Sequence, residues 1–86
     1  MKRSKIWQEI ELEVRKAKRA FPNWPDHPAA QAGIVVEEAG ELMKASLEFK
    51  YEKGKNGLSV NEQKESIRKE AIQTAAMAIR FLEHMK

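Results

Sequence analysis

Apolar residues recur at steps of three and four along most of this chain, and two short stretches break the rhythm. In the first segment Trp7, Ile10, Val14, Ala17 and Phe21 fall on one stripe of a helix, with charges on the other faces. The spacing predicts a helix over about residues 4–21, with Ser4 as its cap. Pro22-Asn23-Trp24-Pro25-Asp26-His27-Pro28 follows; prolines at this density cannot be helix interior, so the stretch is a rigid loop. Pro28 suits a first helical position, with Asp26 or His27 as cap. A second helix is expected over about residues 28–52, ended by Lys53-Gly54-Lys55-Asn56-Gly57. Ser59-Val60-Asn61-Glu62 has the form of a capping box and opens a third helix over about residues 59–85. No segment alternates with period two, so no strand is expected. The chain reads as one all-α domain over residues 1–86, with three helices forming a helical bundle.

Within that pattern some acids stand where apolar residues belong. At about 100° per residue, Glu37, Glu41, Lys44, Glu48 and Glu52 form an ordinary polar stripe on the second helix. Glu38 falls instead among Ile34, Leu42, Ala45 and Phe49, with Glu41 on the border. On the third helix Glu70 lies among Ile67, Thr74, Met77 and Phe81, and Gln73 lies on the polar border beside Arg80 and His84. Each helix thus turns one acid inward and carries an oxygen ligand three residues later. A buried carboxylate without a partner costs several kcal/mol. A basic side chain such as Arg68 or Arg80 would satisfy it, and so would a metal ion. The mirrored placement on two helices favours the metal. Side chains three apart on a helix can reach one ion, and oxygen ligands on rigid helices suit magnesium or manganese.

Composition sharpens the need for a partner. A chain of 86 residues without cysteine buries only about 60–65% of its unfolded surface and has no disulfide to staple it. Its second helix is apolar on most of its circumference, with Val35, Leu42 and Phe49 on one side and Val36, Met43 and Leu47 on another. Two neighbouring helices cannot cover all of that, so at least a homodimer built on the second and third helices is expected. No apolar run is long enough to span a membrane and no signal-peptide pattern opens the sequence, which points to the cytoplasm. The net charge of +3 is concentrated at the start, where residues 1–20 hold seven basic and three acidic side chains. A basic first helix can meet phosphates, although a solvated face is its ordinary reading.

Ile34-Val35-Val36-Glu37-Glu38-Ala39-Gly40-Glu41-Leu42 resembles the first motif of the MazG-like, all-α nucleoside triphosphate pyrophosphohydrolases. Glu70-Ala71-Ile72-Gln73 resembles their second, Glu-x-x-Asp motif, and the resemblance covers about residues 24–83. It implies cleavage of a nucleoside triphosphate to a monophosphate and pyrophosphate, with magnesium held by acids of both motifs. Carried over, Glu38, Glu41 and Glu70 would be metal ligands, with Gln73 beside them. Glu37 would bind a second ion or orient the attacking water. The resemblance further implies a homodimer or homotetramer of helical bundles. One position departs: Gln73 stands where the family has an aspartate. Its carbonyl can still ligate a hard cation but brings no charge, which bears on activity more than on fold.

For the substrate, Lys44, Lys50, Lys53 and Lys55 follow the first motif and can hold the triphosphate, the ordinary reading of each being a solvent-facing lysine. Trp24 and His27 precede the second helix. Trp24 suits stacking on a base or plugging the end of the bundle, and His27 suits a helix cap better than a metal ligand. Two other functions compete: a non-catalytic relative that binds metal or nucleotide, and a nucleic-acid or partner-binding module using the basic first helix. The loops are too long and proline-rich for a helix-turn-helix, which makes nucleic acid the weaker partner.

Overall fold

The computed structural model describes residues 1–54 and 57–85. It contains α1 (Arg3–Ala20), α2 (Pro28–Tyr51) and α3 (Val60–Glu83), and no strand occurs among the described residues. The expected helices are all present, with ends displaced by one or two residues. Ser4 is not the cap of α1; Lys2 takes that position, without a side-chain cap bond. His27 caps α2, its Nδ1 accepting from the Ala29 N–H at 3.0 Å, and Pro28 occupies the first turn. The capping box of α3 is complete. The Glu62 N–H donates to the Ser59 hydroxyl at 3.1 Å, and the Ser59 N–H donates to the Glu62 carboxylate at 3.0 Å.

α3 is the central helix. Both α1 and α2 pack on it, and they share little contact with each other. The core lies along the α1–α3 seam, where Ile10 and Val14 meet Ala76, with Ile6, Ile72, Ala75, Met77 and Ile79 around them. Ala76 is completely enclosed, and its small side chain lets the two helices approach closely. The expected α1 stripe holds at Ile10, Val14 and Ala17, but Trp7 and Phe21 are exposed. Phe21 is the C-cap, where the backbone has left helical geometry. At the other end Ile6 packs against the core in place of Trp7.

Three buried polar side chains hold the loops. Gln31 donates through Nε2 to the carbonyls of Pro25 and Asp26 at 2.7 and 3.3 Å, fixing the proline-rich turn onto α2. Gln63 donates to the Glu52 carbonyl at 3.1 Å and accepts from the Gly54 N–H at 3.0 Å, closing the end of α2 onto α3. Gly54 has φ of 76°, a conformation that L side chains rarely adopt. Arg80, only 3% exposed, donates through Nη2 to the Phe21 carbonyl at 2.9 Å and so ties the end of α1 to α3.

Candidate functional site

Because α1 and α2 lean on α3 without closing on each other, a cleft of about 610 Å³ opens between them. α1 contributes Glu13, Lys16 and Ala17, the loop Asn23 and Trp24, α2 Ile34, Glu37 and Glu38, and α3 Gln73, Met77 and Arg80. Of the residues singled out in the sequence, Trp24, Glu37, Glu38 and Gln73 therefore share one cavity. Glu38 and Glu70 are half-buried, and Glu37 and Glu41 are exposed.

The electrostatics centre on Glu38. Its carboxyl is pushed above the ordinary carboxylate value, first by burial and then by the neighbouring charges of Glu70, Glu37, Glu41 and Glu13. Neither expected basic partner compensates it. Arg68 is engaged by Glu9 at 2.6 Å and Glu65 at 2.7 Å, in a groove that it shares with Glu13, Lys16 and Lys69. Arg80 is turned to the Phe21 carbonyl and to the Trp24 ring, whose centroid lies 4.5 Å from the guanidinium carbon. Among the described residues the Glu38 and Glu70 carboxylates have no ion pair or hydrogen bond.

Trp24 also stacks on His84, with centroids 5.4 Å apart and planes 22° from parallel. Two buried N–H donors at this corner, Trp24 Nε1 and Arg80 Nε, have no acceptor among the described residues. The cleft thus has acids with no cation bound to them, and a corner where Arg80 is already held by the Phe21 carbonyl and the Trp24 ring. The acids are hard oxygen donors of the kind a divalent cation takes. Among the described residues, however, no three acidic or histidine side chains are drawn together into a finished ligand set. The fit rests on donor type and charge.

Other sequence candidates lie elsewhere. Lys44 borders a shallow groove with Gly40, Met43, Leu47 and Tyr51 on another face of α2. Lys53 lies past the end of α2, its Nζ 5.2 Å from the Phe49 ring centroid, and Lys50 similarly covers Tyr51 at 5.0 Å. Lys55 lies outside the described residues. The cations that do line the cleft, Lys16 and Arg80, were not assigned to substrate in the sequence, and neither was Glu13. On α1 the angular reading sets Glu13 about 60° from Ile10, at the edge of the stripe, where a charge is ordinary. Only the acids facing it across the cleft make it unusual. Comparison of the chain with protein-family models, curated proteins and solved structures finds no match.

Proposed function

We propose that this chain is a magnesium- or manganese-dependent pyrophosphohydrolase that cleaves a (deoxy)nucleoside triphosphate to monophosphate and pyrophosphate. The observation that carries the reading is the crowding of acids around Glu38, from the two helices that the motifs single out; Glu37 and Glu38 line the cleft with Lys16, Arg80 and Trp24, whereas Glu41 and Glu70 are not among its lining residues. Glu38, Glu41, Glu70 and Gln73 would hold the cation, and Glu37 would orient the water. A bound ion supplies neutralisation of the phosphate oxygens and acidifies a water. Lys16 and Arg80 are better placed than Lys44 and Lys53 to hold the triphosphate, because they line the same cleft.

We assign the active form to a cytoplasmic homodimer or homotetramer. α2 leaves Val36, Met43, Leu47 and Tyr51 exposed along its length. An apolar groove lined by Ala32, Val35, Val36, Ala78, Phe81 and Leu82 continues that surface onto α3. Apolar exposure on this scale marks an association surface.

The test is release of pyrophosphate and monophosphate from a panel of nucleoside triphosphates with magnesium. Turnover that is lost with chelator and in Glu38→Gln supports the reading. Metal binding without turnover of any triphosphate favours the second reading, a metal- or nucleotide-binding relative without catalysis, for which Gln73 and the unfinished ligand set speak.

A further inference from the structure

α2 carries a second pattern on its exposed face. Gly33, Val36, Gly40, Met43, Leu47 and Lys50 follow one another at steps of three and four, and all are exposed. Such steps repeat every seven residues and form the seam along which two helices pack. Glu37 and Lys44 stand seven residues apart on one flank of that seam. Both are exposed, and neither has an ion pair or hydrogen bond among the described residues. On the other flank Ala32 and Ala39 are small and exposed. The apolar seam alone does not identify what covers it; the charges beside it do.

Two parallel α2 helices in register would set Lys50 against Lys50 and leave Glu37 and Lys44 facing only Ala32 and Ala39. Two antiparallel helices behave differently. With Gly40 opposite Met43 of the partner subunit, Val36 meets Leu47 of the partner subunit and Lys50 runs over Gly33. Nothing lies within 4 Å of where a Cβ on Gly40 would stand, which leaves room for the methionine. At 1.5 Å per residue, Glu37 is then within about 3 Å of Lys44 of the partner subunit along the axis. A slide of one heptad in either direction brings Glu37 level with Glu37, or Lys44 level with Lys44, so charge selects a single register. We propose that α2 packs on the α2 of a second copy in this antiparallel register, held by two reciprocal Glu37–Lys44 ion pairs. Glu37 lines the cleft, whereas Lys44 borders a groove on another face of its own chain. The pairing therefore delivers a cation from the second chain to the rim of the cleft. The proposal rests on the homodimer reading and is independent of the metal and the reaction.

Charge reversal, followed by sedimentation equilibrium, tests this. Glu37→Lys or Lys44→Glu alone sets like charges opposite each other twice in every dimer. Like charges facing across an interface are costly, so each single variant should dissociate at least about tenfold more readily than the parent. The double variant, Glu37→Lys with Lys44→Glu, restores opposite charges in the same register and should associate about as tightly as the parent. An equimolar mixture of the two single variants should do the same, because each supplies the charge that the other lacks. Circular dichroism establishes that each variant keeps its helices. If the parent self-associates and the single variants match it, or if the mixture and the double variant are no tighter than the single variants, α2 does not meet α2 in this register and this proposal alone fails. A parent that sediments as one chain at micromolar concentration overturns both this proposal and the homodimer reading beneath it.

Discussion

α1 and α2 pack on the same helix but place their residues in opposite ways. α1 is conventional: Ile10, Val14 and Ala17 face α3, and charges face outward. α2 turns Glu38 toward the cleft and presents Val36, Met43, Leu47 and Tyr51 to the outside, Val36 and Tyr51 being 68% and 70% exposed. At 100° per residue that stripe is centred about half a turn from Glu38. The demands of the chain's own core explain α1 and do not explain α2. An acid turned in and an apolar stripe turned out are consistent with the proposed ligand on one side of α2 and the proposed second subunit on the other.

The contrast is easiest to break with large-to-small substitutions. Ile10→Ala should cost about 2–5 kcal/mol in denaturant unfolding, at any protein concentration, because it opens a cavity in the α1–α3 seam. Leu47→Ala should cost within about 0.5 kcal/mol at high dilution and more as concentration rises. Equal costs at all concentrations would mean that the two helices are not different in kind. Met43→Lys should lower the sedimenting mass to that of one chain, by placing a charge in the stripe; an unchanged mass would move the interface elsewhere.

Gly40 sharpens the point. It lies in the stripe, and an added Cβ would meet nothing within 4 Å in the single chain. Gly40→Ala should therefore stabilise the isolated chain by up to about 1 kcal/mol through helix propensity while weakening self-association, if the partner approaches closely there. Stabilisation without weaker association would show that Gly40 is not at the contact.

The smallest effect is in pH. The Glu38 carboxyl is raised above its ordinary value of 4.5 by burial and by Glu70. Its contribution to metal-free stability is therefore full below 4.5 and is lost as pH rises through the raised value. Glu62 is held below 4.5 by its bonds to Ser59, so its contribution is present above 4.5 and is lost as pH falls through the lowered value. Glu38→Gln and Glu62→Gln should change the pH profile of unfolding in opposite directions. Changes of the same sign would mean that Glu38 is not crowded by acids.

Periodicity and capping chemistry made the three helices, the Ser59 box, the His27 cap and the inward setting of Glu38 and Glu70 legible, because each depends on residues within a few positions of one another. What depends on tertiary placement was not legible. Gln31, Gln63 and Arg80 are helix residues whose partners are loop carbonyls, and no local spacing rule pairs them. Trp7 and Ile6 border the same stripe from opposite sides, and the position of α3 decides that Ile6 packs against the core. Lys44 follows the first motif in sequence yet lies away from the cleft, whereas Lys16, from another helix, lines it.

On the proposed reading, the acids around Glu38 lack counter-charges because a divalent cation belongs among them. The most direct measurement is the melting temperature of the chelator-treated protein against added magnesium or manganese. An ion that binds only the folded state stabilises it by mass action, by about 2.7 kcal/mol at one hundred times its dissociation constant. The melting temperature should climb through millimolar metal in the parent and stay flat in Glu38→Gln, whose metal-free melting point should equal or exceed the parent's. A parent curve unchanged across that range, or an equal rise in Glu38→Gln, would contradict it.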